Sequence, residues 1–450
     1  MIRKGKLLSV ALVMALVMGM TGCGSAGAPA SNDNATVAEA PSVEEKTEET
    51  VEQAEADSKD EVKEEEKTEE AVEETSDAED RSAEALEFAK NLKLGWNLGN
   101  TFDAFIDEKG FMNTVNTETC WGNPKACQEL FDGLKATGFT SVRIPVSWHN
   151  HLTLSEPDEN GVEHLIIDED WLKRVKEVVD YAYNADLYVI INIHHDNIPV
   201  DKFGYIPDYE NEEQALWYIE EIWSTVAPYF EEYDNHLIFE GLNEPRLTND
   251  PSHEWNIDVF NAHCKEAADV INKMNQIFVD TVRATGGNNG DRYLIVTGYC
   301  ASPNGVDNAL FKLPDDTVSG RLMVSLHAYV PYEFALSEDM TNRDFDPEDK
   351  RLTESIAWVM RVAKLRLTTQ GIPAVLDEFG CRDKNGNDEA RIAYYKYYVN
   401  KCYENDMPCF VWDNGVTSGS GEIFGIINRK DGSALNEAIV DAIISSWPEE

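Results

Sequence analysis

The chain has 450 residues, 42% of them hydrophobic, and a net charge of −46. That is long enough for one large domain or two or three ordinary ones. So strong an acidity argues against nucleic acid as a partner.

Lys4 and Lys6 precede an apolar run from Leu7 to Met20 that is too short for a stable membrane span, so residues 1–22 read as an export signal. The stretch "MTGC" ending at Cys23 resembles the lipobox of bacterial lipoproteins, which implies acylation of Cys23, anchoring to the cell membrane and an extracellular location. From Ser31 to Asp80 there are 21 Asp and Glu against 4 Lys, a net of −17, with no aromatic residue. Such a segment cannot bury enough apolar surface to fold, and residues 23–83 are expected to form a disordered, self-repelling tether.

From residue 84 to 450, short runs rich in Val, Ile and Leu alternate with longer segments of helical period. The predicted strands begin "LKLGWNLG" at 92, "SVRIPVSW" at 141, "LYVIINIHH" at 187, "LIFEGLNEP" at 237, "RYLIVTGYC" at 292, "RLMVSLHAY" at 321, "IPAVLDEFG" at 372 and "MPCFVWDNG" at 407. Between them lie amphipathic stretches such as "DWLKRVKEVVDYAYNA" and "ESIAWVMRVAKLRLTT". Eight strands with intervening helices predict an α/β fold, a single (β/α)8 TIM barrel. An open doubly wound sheet fits less well, because "GWNLGNTF" lacks the G-x-G-x-x-G turn.

Most runs place apolar residues first and polar or aromatic ones last. Asn97, Arg143, His194, Glu244, His327, Glu378 and Trp412 all follow apolar positions, and in a barrel those ends share one rim. Glu244 and Glu378 hold equivalent late positions, and two facing carboxylates are what acetal hydrolysis needs: one to protonate the leaving oxygen, the other to attack or to activate water. Arg143 is positioned to keep one of them ionised. "HHD" at 194–196 resembles a metal cluster, but neighbouring strand residues face opposite ways, so His194 and His195 are not expected to share an ion unless the strand has ended. No H-e-x-x-H or G-x-S-x-G motif is present, and "DKNGND" at 383 reads as a turn. Trp121, Trp148, Trp217, Trp255 and Trp412 fall near loops or strand ends, where indoles can stack on sugar rings. Cys120 and Cys127 could form a disulfide, and pairing among the seven cysteines beyond Cys23 stays open.

Taken together, "GLNEPR", "LDEFG", "VRIPVSW", "INIHHD", "SLHAY" and "VWDNG" resemble glycoside hydrolase family 5, the cellulase family, over roughly residues 84–447. "GWNLGNTFDA" and "ETCWGNP" are similar to its subfamily 4, a group of endoglucanases, lichenases and xyloglucanases. The resemblance implies a retaining endo-β-1,4-glucanase without cofactor or metal, a β-glucan as its partner and a monomer. It implies Glu244 as acid/base and Glu378 as nucleophile, supported by Arg143, His194, Asn243, His327, Tyr329 and Trp412. Asn97, His195, Trp121 and Trp148 complete the expected substrate cleft. Retention requires the two carboxyl groups to lie roughly 5 to 5.5 Å apart. Arg143 is expected to ionise Glu378, leaving Glu244 with the raised pKa. No carbohydrate-binding module is evident, which points to soluble or hydrated polymers. The alternative is a sugar-binding lipoprotein of a transport system, which would lack the paired strand-end glutamates.

Overall fold

The computed structural model describes residues 80–106, 115–198, 202–419 and 421–448. The expected signal peptide, Cys23 and the tether up to residue 79 lie outside the described residues. Among the described residues, no helix is long and apolar enough to cross a membrane.

A helix, α1, covers residues 80–92. It takes in residues 80–83, which the sequence reading had left to the tether. Ion pairs explain the earlier start: Arg81 lies 3.7 Å from Asp291, and Glu84 accepts a 3.0 Å hydrogen bond from Arg321. Strand β1 (Leu94–Leu98) follows, then α2 (Gln128–Thr137) and β2 (Ser141–Ile144). The next pair, β3 (Leu152–Leu154) and β4 (Leu165–Ile167), forms a small antiparallel ribbon beside the barrel, which the eight-strand reading did not include. The alternation then runs through α3 (Glu169–Asn184), β5 (Tyr188–Asn192), α4 (Glu212–Tyr229), β6 (Leu237–Glu240), α5 (Ala262–Ala284) and β7 (Leu294–Val296). It finishes with α6 (Pro303–Val306), β8 (Leu322–His327), α7 (Tyr332–Ala335), α8 (Lys350–Val362), β9 (Ala374–Phe379), α9 (Asp388–Tyr403), β10 (Cys409–Asp413) and α10 (Glu437–Ile444).

Eight of these strands close into a parallel barrel in the order β1-β10-β9-β8-β7-β6-β5-β2, so each of the eight predicted runs supplies one stave. Helix starts follow ordinary capping chemistry. The Asp168 carboxylate accepts from the Trp171 amide at 2.9 Å at the head of α3, and Asn261 caps α5 in the same way.

Period-two alternation divides each strand between two environments. Leu237 and Phe239 face the helical shell, while Ile238 belongs to a separate inner cluster with Ile190, Ile295, Met323, Val375 and Phe410. Gly95 completes that layer: a Cβ there would stand 1.9 Å from the Phe410 ring, so only glycine lets the ring lie across the barrel. Ala85, Ala89 and Leu92 of α1 close the same cluster from the strand N-terminal side. Phe88 stacks on Tyr293 with centroids 3.6 Å apart and planes at 7°.

The seven cysteines described are all unpaired. Cys120 is exposed, Cys127 half-buried and the other five buried, so the Cys120–Cys127 bridge that the sequence left open is not formed. Each of the two thiols instead donates to a different carbonyl, Phe105 and Lys430 respectively.

If α1 is the floor of the barrel, Phe88→Ala should lower unfolding stability by about 2 to 3 kcal/mol while leaving kcat within twofold, since the helix sits at the end away from Glu244. Chemical unfolding of the variant checks this, and an unchanged midpoint would show that α1 is dispensable.

Candidate active site

The layer above the apolar one is polar and is carried by the next inward position of each strand. Asn97 follows Gly95 by two residues, Asn192 follows Ile190, Glu240 follows Ile238, Ser325 follows Met323 and Asp377 follows Val375. Arg143 occupies this layer on β2 and is fully buried. Its Nε and Nη2 donate to Glu240 at 2.6 and 2.7 Å, its Nη1 to Glu378 at 2.7 Å and to Asn97 at 3.1 Å, and its Nη2 also to Asn243 at 2.7 Å. Burial alone would lower the Arg143 pKa, but Glu240, Glu378 and Asp377 outweigh it and hold the guanidinium charged.

Glu378 reaches the mouth through an irregularity. Between β8 and β9 the register slips from Ser325↔Val375 to His327↔Glu378, so β9 carries one extra residue. That bulge lets two successive carboxylates, Asp377 and Glu378, both point into the barrel. Asp377 Oδ1 accepts from Ser325 at 2.7 Å. The free oxygen of Glu378, Oε2, accepts from the Tyr329 hydroxyl at 2.8 Å.

Glu244 stands four residues beyond Glu240, on the segment leaving β6. His327 lies between the two late glutamates, its Nδ1 2.9 Å from Glu244 and 3.5 Å from Glu378, with Nε2 3.3 Å from Asp377. Ligand atoms of Glu244, His327 and Glu378 all fall within 4.8 Å of one another, so the two carboxylates face each other at short range. Arg246 adds a second cation, 3.9 Å from Glu244, with its guanidinium 3.9 Å above the Trp255 ring.

The electrostatics reverse the order expected for the pair. Burial raises Glu244, but the hydrogen bond and charge of His327, aided by Arg246, outweigh it and hold Glu244 below the usual carboxylate value. Burial raises Glu378, and its attraction to His327 and Arg143 does not cancel that and the repulsion from Glu244. Arg143 pulls less on Glu378 than expected because it spends two donors on Glu240, whose own pKa burial keeps raised. For His327, burial opposes charge, but Glu378 and Asp377 win and the imidazole sits well above its ordinary value.

The other expected residues divide between lining and support. Trp412 and His194 stack in parallel, with centroids 6.0 Å apart and planes at 2°. Trp121, 38% exposed, gives its indole N–H to the Phe105 carbonyl and lies 5.8 Å from His195. Asn97 and Asn243 are buried against Arg143 and act behind the surface. Trp148 is not in the cleft: it is 1% exposed, with its indole N–H donated to the Asn192 carbonyl and its amide to Asp196, so it is a core residue. Trp217 packs against the core in the same manner.

His194 and His195 correct the strand argument. Strand β5 ends at Asn192, and the two rings meet edge to face 4.4 Å apart. With Asp103 they bring three ligand atoms within 4.8 Å, as do Glu240, His327 and Asp377. Asp103 already accepts the Asn100 and Thr101 amides, and burial pushes its pKa to about 6. Sequence reasoning missed Glu240, Asp377, Arg246 and Asp103. Glu240 was visible in principle, since two-residue alternation from Ile238 aims it into the barrel, where a carboxylate needs a cation such as Arg143.

A closed parallel barrel with two facing glutamates at its mouth has the parts of a glycoside hydrolase. The family model "Cellulase (glycosyl hydrolase family 5)" matches residues 105–418. Endoglucanase B of Neocallimastix patriciarum is 38% identical over 372 residues, 81% of this chain and 72% of that protein. A GH5 family lichenase from Caldicellulosiruptor sp. F32 has a TM-score of 0.76 at 41% identity, covering 81% of this chain and 95% of that one. A GH5-4 broad specificity endoglucanase from Ruminococcus champanellensis with bound cellotriose has a TM-score of 0.70 at 37% identity, covering 80% and 97%. The chain belongs to glycosyl hydrolase family 5 and is a glycoside hydrolase of the cellulase type.

Arg143→Lys tests the centre of this arrangement, because an ammonium cannot span Glu240 and Glu378 with a planar fork. We expect kcat to fall by about 100-fold with the fold retained by circular dichroism. A second expectation concerns pH. Removing the His327 cation raises both neighbouring carboxylate pKa values, so in His327→Asn the acid limb of the kcat/KM profile should move to higher pH. A limb that stays put or moves down would contradict the electrostatic assignment.

Proposed function

We propose that the protein is a retaining endo-β-1,4-glucanase, with Glu378 as nucleophile and Glu244 as acid/base. The observation that carries this reading is the short approach of the two carboxylates, one oxygen of each lying within 4.8 Å of the other, in keeping with the close pairing that double displacement needs. Both Glu378 oxygens are held by donors, Arg143 and Tyr329, which fixes the carboxylate for in-line attack on the anomeric carbon. Glu244 is the more exposed of the two, at 18% against 7% for the side chains, which suits a group that must exchange protons with the leaving oxygen and with water.

In the first step Glu378 attacks the anomeric carbon as Glu244 gives its proton to the leaving oxygen. In the second, Glu244 takes a proton from water, which displaces Glu378. With Glu378 raised and Glu244 lowered in the free site, substrate must shift the proton: excluding water around Glu244 and drawing charge onto Glu378 both act in the required direction. His327, hydrogen-bonded to Glu244 and close to Glu378, is the group through which the pair exchanges charge.

Relatives named as a lichenase and a broad specificity endoglucanase support soluble β-glucans as substrates. The lipobox-like "MTGC" supports an enzyme held at the outer face of the bacterial membrane through Cys23.

Viscosity of a mixed-linkage β-glucan should drop early in the reaction, and fresh products should carry the β-anomer by nuclear magnetic resonance; the α-anomer first would overturn retention. Glu378→Ala should be inactive. Glu244→Ala should keep far more activity on an activated aryl cellobioside than on polymer and be rescued by azide. Rescue of Glu378→Ala instead would exchange the two roles.

A further inference from the structure

Of the four carboxylates around Arg143 and His327, Glu244 alone lies outside a strand. It stands four residues past the end of β6's last carboxylate, Glu240, so its aim depends on contacts made after the chain has left the sheet. His327 takes one oxygen, Oε1, at 2.9 Å, and among the described residues the other, Oε2, accepts no hydrogen bond. The cation beside Oε2 is Arg246: its Nη1 lies 3.9 Å from that oxygen and donates to the Glu244 carbonyl at 2.9 Å. The guanidinium grips the residue by its backbone while standing next to its free oxygen.

Arg246 is itself held. Its guanidinium lies 3.9 Å over the Trp255 ring, its Nε is 3.4 Å from Glu254, and its amide donates to the buried Asn197 side chain at 2.6 Å. Trp255, which the sequence offered as a sugar-stacking indole, gives a face to the arginine instead. The segment carrying these residues is stapled at both ends by the turn after β7. There the Tyr299 hydroxyl accepts from the Leu247 amide at 3.0 Å and donates to the His253 carbonyl at 2.8 Å. The Cys300 amide donates to the Pro245 carbonyl at 3.0 Å, and its thiol to the Glu254 carbonyl at 3.1 Å. In this turn Cys300 and Ala301 both adopt left-handed backbone, at φ 57° and 48°, a conformation that side chains other than glycine's rarely take. Strain kept at two successive positions argues that the contacts it secures are used.

We propose that Arg246 is a positioning residue for Glu244: backed by Trp255 and Glu254, it fixes the direction in which Oε2 is presented, first to the leaving oxygen and then to water. The inference rests on the reading of Glu244 as acid/base and adds the group that aims it. A planar guanidinium suits the task, because it lies flat on the indole while its edge donates to the carbonyl, whereas an ammonium offers a single point of contact.

The test is whether Arg246→Gln reproduces, in weaker form, the kinetic signature of a lost acid/base. On a phenyl cellobioside, whose leaving group needs a proton, kcat/KM should fall about tenfold; on a dinitrophenyl cellobioside, whose leaving group does not, it should fall less than about twofold. On the activated substrate kcat and KM should fall together as glycosyl-enzyme accumulates, and azide should raise kcat. Arg246→Lys should show the same pattern with smaller changes, as should Trp255→Leu, which leaves the charge in place and removes its backing. Equal losses of kcat/KM on the two substrates without azide rescue would make the cluster a packing element and overturn the proposal, and so would parental kinetics in Arg246→Gln. The acid/base reading fails separately: Glu244→Ala itself would then show no azide rescue, and Arg246 would have no acid to aim.

Discussion

Everything chemical in this barrel depends on one buried cation. Arg143 meets two carboxylates and two amide oxygens from four different elements, and all of these partners are buried or nearly so. Taking a guanidinium out of water costs several kcal/mol unless its donors are matched, and here each of its nitrogens has an acceptor at 3.1 Å or less. The arrangement is bidentate toward Glu240 and single toward Glu378. One carboxylate therefore anchors the arginine, and the anchored arginine then positions the other. A lysine or an unanchored arginine would leave Glu378 free to rotate, which would matter more for reaction than for folding.

Beneath this layer the barrel is apolar and closed by α1, and above it the charges face solvent. The change happens within two residues along each strand: Gly95 to Asn97, Ile190 to Asn192, Ile238 to Glu240, Val375 to Asp377. At these positions the lower layer presents only apolar side chains and a glycine. The upper one tolerates several because Arg143 and His327 lie at their centre. The bulge in β9 makes this possible for Glu378. With regular pairing, Asp377 would stand opposite His327, and Glu378 would turn toward the helices.

Most of the scaffold was legible in the sequence because period and composition carry it: eight apolar runs, eight staves, and helices between them. The late polar residues were legible for the same reason, since a TIM barrel collects strand ends at one rim. What was not legible depended on geometry that one-dimensional patterns do not encode. Trp148 follows a strand as Trp412 occupies one, yet it turns into the core because the Asn192 carbonyl and Asp196 take its polar atoms. His194 and His195 were placed on opposite faces because the strand was drawn three residues too long. Glu240 looked like part of an apolar run, and its role appears only when Arg143 is seen across the barrel. Residues 80–83 were read with the acidic tether on composition, whereas their neighbours Asp291 and Arg321 lie more than 200 positions away.

The charge count of the site follows from these pieces and bears on the reaction. Glu240, Glu244, Asp377 and Glu378 surround Arg143 and His327, so four acids face two buried cations, with Arg246 at the edge. Burial resists that surplus and keeps Glu240 and Glu378 raised, while for His327 burial works the other way and the charges of Glu378 and Asp377 raise it. A sugar approaching an oxocarbenium-like state brings positive character to this place, and the carboxylates are already fixed by Arg143, Tyr329 and His327 when it arrives. The surplus of negative charge is then relieved by the reacting centre itself. The same imbalance that makes the unreacted site hold protons tightly favours the transition state over the ground state, and it does so without any movement of the barrel.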